Sequence, residues 1–147
     1  MASRITLDPP TDTTRYAYAH RLRVRFAETD AMGIVHHAAY LPYLEEARVE
    51  YLRAVGHPYQ ELRAEGLDIA VLEAMLRYLR PLRFDDEVTV HVLVAPATRT
   101  TFEVGYLLTV GGLASATGVT VHACVDRSGR PARLPPWLRD LDTLEVI

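Results

Sequence analysis

Read for the alternation of apolar and polar positions, the chain divides into one strand, one long helix and four further strands. His20-Arg-Leu-Arg-Val-Arg-Phe26 places Leu22, Val24 and Phe26 on one face, the period of a half-buried strand. Beyond Tyr40 the period changes. Tyr40, Leu44, Ala47, Tyr51 and Val55 recur at helical spacing, with Glu46, Glu50 and Arg53 opposite. Pro42 has no N–H and belongs in a first helical turn, which sets the start near Ala39. Gly56 ends the helix and Pro58 prevents its return. A short helical piece over Tyr59–Ala64 leads to Gly66.

From residue 69 the pattern is that of strands. Residues 69–78 form a long one, apolar on nearly both faces, and Arg80-Pro-Leu-Arg-Phe-Asp-Asp86 is a turn in which no chemistry is assigned to Asp85 or Asp86. Val88, Val90, Val92 and Val94 mark the next strand, broken by Ala95-Pro-Ala-Thr98, and Phe102, Val104, Tyr106, Leu108 and Val110 the one after. Gly111-Gly112 is a two-residue hairpin signal. Val119, Val121, Ala123 and Val125 form the last strand, and Pro135-Pro-Trp-Leu-Arg139 a final short helix. Tight turns make neighbours antiparallel, so the class is α+β: a curved five-stranded antiparallel sheet with one long helix against its face. One helix cannot cover five strands, so a homo-oligomer is expected to hide the rest. Residues 1–19, rich in Pro, Thr and Asp, predict a mobile N-terminal tail, and residues 20–147 a single domain.

Composition narrows the function. At 147 residues, 49% hydrophobic and 24% charged, the chain can build a packed core and is not disordered. A net charge of −3 argues against a nucleic-acid binder. All 16 basic residues are Arg, which excludes a Lys nucleophile. The lone cysteine, Cys124, permits no internal disulfide or Cys-rich zinc site and reads as a packed residue. No run approaches the ~18 apolar residues of a membrane span. The first ten residues lack a signal peptide's apolar stretch, so no stable membrane insertion and a cytoplasmic location are expected.

The chemistry concentrates in Arg25-Phe-Ala-Glu-Thr-Asp-Ala-Met-Gly-Ile-Val-His-His37, the loop between first strand and helix. An acid at a helix start lies beside unpaired N–H groups and a positive dipole end. It can serve as base or nucleophile where negative charge develops. Asp30 is that acid, although Asp in such a loop also caps turns. Gly33 suits a backbone conformation closed to other residues, or a close approach by a ligand. His36 and His37 are adjacent, which is poor geometry for one metal, so no metal is assigned. Glu45 and Glu46, on the helix, are the fallback acids. Glu45–Arg48 and Glu50–Arg53 stand at pairing distance.

Asp30-Ala-Met-Gly-Ile-Val-His-His-Ala-Ala-Tyr40, with Glu45-Glu-Ala-Arg48 and Tyr78-Leu-Arg-Pro-Leu-Arg-Phe-Asp-Asp86, resembles the hotdog-fold acyl-CoA thioesterases similar to 4-hydroxybenzoyl-CoA thioesterase. The resemblance implies a sheet wrapped around a central helix, with sites at the interface of a homodimer or of a dimer of dimers, a homotetramer. It implies hydrolysis of an acyl-CoA, or of an acyl-carrier-protein thioester, without a cofactor. Asp30 and His37 become the catalytic pair, the acid as nucleophile or general base and the His37 N–H facing the carbonyl oxygen. Gly33, Ile34, Val35 and His36 line the substrate, and Arg99, Thr100 and Thr101 hold the nucleotide part of coenzyme A. Phe26 stands where many members have Tyr, and Glu28 where relatives often have Asp.

Two other functions compete. A hotdog hydratase or dehydratase would place a buried His with its own acidic partner in the helix region, an arrangement not evident here. A non-catalytic acyl-CoA-binding protein would bind the thioester without releasing thiol.

Overall fold

The structure, a computed structural model, describes residues 1–141, so the end of the expected domain, 142–147, lies outside the described residues. The strands are β1 (Tyr18–Arg23), β2 (Leu67–Tyr78), β3 (Glu87–Val94), β4 (Thr101–Val110) and β5 (Leu113–Asp126). They form one antiparallel sheet in the order β1-β3-β4-β5-β2. The helices are α1 (Tyr40–Ala54), α2 (Tyr59–Ala64) and α3 (Pro136–Arg139). The hairpin between β4 and β5 turns on Gly111 and Gly112, with φ of +57° and +80°, as a two-residue turn of this hand requires.

The inner face of the sheet takes up α1. Tyr40, Tyr43, Leu44, Ala47, Tyr51 and Leu52 are buried against Val88, Val90, Val92, Val104 and Leu108. At Gly118 the packing leaves no room for a side chain, since a Cβ would meet Leu44 Cδ1 at 3.1 Å and the Met75 carbonyl oxygen at 3.3 Å. A polar chain runs through this core. Arg48 Nη1 donates to the Tyr106 hydroxyl at 3.1 Å, Tyr106 meets Thr120 Oγ1 at 2.7 Å, and His122 Nε2 meets the same hydroxyl at 2.7 Å. Arg48 therefore points at Tyr106, and the expected Glu45–Arg48 ion pair is not formed, whereas Glu50–Arg53 is, at 2.5 Å. His122 is fully buried, which together with the Arg48 charge depresses its pKa to about 3.

Two expectations need correcting. The first strand runs over 18–23 rather than 20–26, and Phe26 is exposed in a 3-10 turn, edge-on to Phe84 at 5.6 Å. The Val24 N–H still bonds the in-register Asp86 carbonyl, but the Val24 carbonyl takes the Asp85 N–H in place of that of Asp86, and the ladder ends there. Mutual bonds between Arg25 and Glu28 then close the turn. Residues 1–17 carry little regular structure, yet they lie along the sheet. Ser3 Oγ and the Arg4 N–H bond Glu73, the Thr6 N–H and hydroxyl bond Glu103, and Tyr16 packs on His91.

Candidate active site

The loop that carries Asp30 is tied down at several points. Thr29 bridges to Val35 and Ile34 to Arg83, the Val35 N–H donates to the Leu82 carbonyl, and the His36 N–H to the Glu28 carbonyl. Glu28 fastens the loop to α1, because its carboxylate accepts the Tyr43 hydroxyl at 2.6 Å as well as the Arg25 N–H at 2.8 Å. Burial works to raise the pKa of Glu28, but the bonds from Arg25 and Tyr43 outweigh it and hold the carboxyl below its ordinary value. Gly33, at φ +79°, closes a turn whose N–H bonds the Asp30 carbonyl, and nothing lies within 4 Å of where its Cβ would stand. Within the protomer its role is therefore the backbone conformation.

Asp30 fills the expected turn role and leaves room for chemistry. Its Oδ1 accepts the Met32 N–H at 2.8 Å. The residue is half-buried and lines an open cavity of about 380 Å³ with Ile34, Val35, His37, Tyr40, Tyr78, Leu79, Arg80 and Pro81. A 3-10 turn, His37–Ala39, leads directly into α1, so the cavity meets the amino-terminal end of the helix. The His37 N–H opens that turn, one of the donors a helix start leaves without an internal acceptor. Tyr78 donates its hydroxyl to the His37 carbonyl at 3.3 Å and packs edge-on against Tyr40 at 4.9 Å, joining the end of β2 to the helix start.

Asp30, Ile34, Val35 and His37 are thus brought to one cavity, with Gly33 and His36 beside it. His36 is exposed, its Nδ1 accepts the Ala38 N–H at 3.1 Å, and its ring stacks on that of His37 at 4.1 Å. Arg99, Thr100 and Thr101 do not join them. Thr101 pairs with Ala123 on β5, whereas Tyr78 pairs with Ala116. That separation along one strand is about 23 Å at ~3.3 Å per residue. Thr101 also bonds Thr98 within its own turn, at 2.7 Å between hydroxyls. The fallback acids also lie elsewhere. Glu46 pairs with His20 at 2.5 Å, and Glu45 lines a separate cavity of about 250 Å³ with Arg48, Val49 and Tyr59. Cys124 is buried, which raises its thiol pKa. Sequence reasoning missed Tyr78, Arg80 and Pro81 as lining residues. They stood inside a motif already noted, but only the end of β2 packing on the helix start gives them this role.

A loop acid, a helix start and an aromatic-walled cavity at one edge of a five-stranded sheet define a class. Residues 24–141 match the thioesterase-like superfamily, and the chain belongs to it, with the hotdog fold. The 1,4-dihydroxy-2-naphthoyl-CoA hydrolase of Thermosynechococcus vestitus is 32% identical over 123 residues, which cover 79% of this chain and 84% of that protein. A solved structure from Aquifex aeolicus is 39% identical with a TM-score of 0.80, covering 87% of this chain and 99% of that one. A thioesterase of Thermus thermophilus, solved with coenzyme A and zinc, is 31% identical with a TM-score of 0.73, covering 85% and 91%. The chain is accordingly a thioester hydrolase by class.

Proposed function

We propose that the chain hydrolyses acyl-CoA with Asp30 as its acid and the His37 N–H as the donor to the developing oxyanion. The observation that carries this is the shared cavity, in which a carboxylate with one oxygen fixed by the Met32 N–H lies beside the start of the helix. The thioester carbonyl carbon would face the free Asp30 oxygen, directly or through one water. Its oxygen would face the His37 amide and the roughly half-unit positive charge of a helix end. The His37 ring also borders the cavity and would order that water. Apolar walls from Ile34, Val35, Tyr40 and Tyr78 suit an acyl group or the stem of pantetheine.

The sites are completed, in this reading, by a homodimer formed along β2. That strand is twelve residues long at the edge of the sheet, and it exposes Val71, Leu72 and Tyr78 by 53%, 42% and 51%. An apolar unpaired edge of this length is a site for another strand. Such a pairing would let a partner bring Arg99, Thr100 and Thr101 to the nucleotide of coenzyme A, which one protomer alone does not do. No helix among the described residues is long and apolar enough to cross a membrane. The single, buried cysteine suits a reducing compartment, and on that ground we place the protein in the cytoplasm.

The decisive experiment is thiol release over a panel of acyl-CoA and acyl-carrier-protein thioesters, with Asp30→Asn alongside. Release by the parent chain and a loss of ~10²–10⁴-fold in the variant is the expected result. Equal release by both would reject the site, and binding of acyl-CoA with no release by either would favour a sensor.

A further inference from the structure

A single helix covers one face of an antiparallel sheet, and the other face is then ordinarily polar and wet. Here β4 and β5 are buried on both faces. Gly118 faces α1, so Val119 and Val121 point the opposite way, together with Glu103, Gly105 and Leu107. Val119 and Leu107 are nonetheless 0% exposed and Val121 1%. The chain's own amino-terminal arm lies over this face at the positions beside them, together with Leu93 of β3. Leu7 sits on Gly105, the position paired with Val119, and Thr6 sits on Glu103, the position paired with Val121.

The arm is fastened as well as laid down. Glu73 takes the Ser3 hydroxyl at 2.7 Å and the Arg4 N–H at 2.6 Å. Glu103, only 8% exposed, takes the Thr6 N–H at 2.5 Å and the Thr6 hydroxyl. Asp8 reaches Arg77, and Tyr16, its hydroxyl bonded to the Pro10 carbonyl, packs on His91. Both carboxylates thus have their oxygens occupied by arm donors, and the arm crosses from β2 to β3. The match to the superfamily begins only at residue 24, after the arm.

We propose that residues 3–16 act as a built-in cover for the outer face of the sheet, taking the place of a second pair of subunits there. The full chain then assembles along its β2 edge to a dimer and no further. Taking the arm away uncovers an apolar strip around Leu107, Val119 and Val121, whose fitting partner is the same strip on another copy. The inference takes the β2-edge dimer of the preceding reading as its starting unit.

Light scattering on material leaving a sizing column tests it, comparing the full chain with one lacking residues 2–12. The full chain is expected at the mass of two copies, the shortened chain at four, and the shortened chain carrying Val119→Glu at two again. A shortened chain with the mass of the full chain would overturn the proposal, as would a doubled mass that Val119→Glu leaves in place. Should the shortened chain not fold, Thr6→Pro in the full chain, which removes both donors to Glu103, decides the matter. Its mass should rise towards four copies with concentration, and a constant mass would count against the cover. A full chain of one copy that doubles on shortening would refute the β2 pairing and still support the arm.

Discussion

Asp30 serves a turn and lines a cavity at once. Its Oδ1 holds the Met32 N–H and with it the turn, and the residue borders the cavity at the helix start. The two roles separate by substitution. Asn keeps an acceptor for the Met32 N–H and removes the charge, so Asp30→Asn should lose turnover with its melting temperature nearly unchanged. Asp30→Ala should lose turnover equally and also ~1 kcal/mol of stability, the typical cost of deleting such a capping acceptor. Paired activity and thermal-melt measurements read both effects. Equal melting temperatures for the two variants would show that the turn bond has no structural weight. The carboxylate, Gly33 and both histidines stood out in the sequence as a candidate site, because they lie within eight residues of chain. The cavity that Asp30 borders was not, since it depends on how the loop is tethered to Leu82 and Arg83.

The helix and sheet meet through a position with no side chain. Gly118 has ordinary extended backbone, so its constraint is space. A Cβ there would stand 3.1 Å from Leu44 Cδ1, 3.2 Å from Leu76 Cδ2 and 3.3 Å from the Met75 carbonyl oxygen. The leucine ends can shift, but the backbone oxygen resists. Gly118→Ala should cost ~1–3 kcal/mol through overpacking, seen as a melting temperature several degrees lower with the same far-ultraviolet dichroism. Neighbouring Gly112 has open space around it and owes its place to φ +80°, so the two glycines fail for different reasons when replaced. Periodicity located α1 and the hairpin at once. It misjudged Phe26, whose apolar side chain continued the strand pattern while the Arg25–Glu28 bonds had already turned the chain away.

Across the whole molecule, burial of His122 links folding to pH. Its folded-state pKa of about 3 lies below the ordinary 6.5, because burial, and then the charge of Arg48, disfavours the imidazolium. The unfolded chain therefore binds a proton that the folded one refuses between those values. Stability contributed by neutral His122 is full above pH 6.5 and is lost progressively as pH falls towards 3. Thermal melts at pH 7.5 and 5 should show the parent chain weakened at the lower pH, and His122→Phe, which can stack on Phe102 in the same way, much less so. An equal acid response in both would remove His122 from the account.

Local order fixed what the sequence alone could decide: where apolar stripes run, which residues break them, and which acid meets a helix start. These follow from neighbours a few positions apart, and the antiparallel α+β sheet with its one long helix was readable from them, whereas the thioesterase class and the hotdog fold entered through resemblance to a known family. Only the folded chain decided that Tyr78, Arg80 and Pro81 wall the cavity, that Arg99 stands a strand's length away, and that the opening residues cover the outer face of the sheet. Each of those depends on groups brought together from far apart in the chain, where side-chain shape and hydrogen-bond demand, rather than spacing, choose the partner.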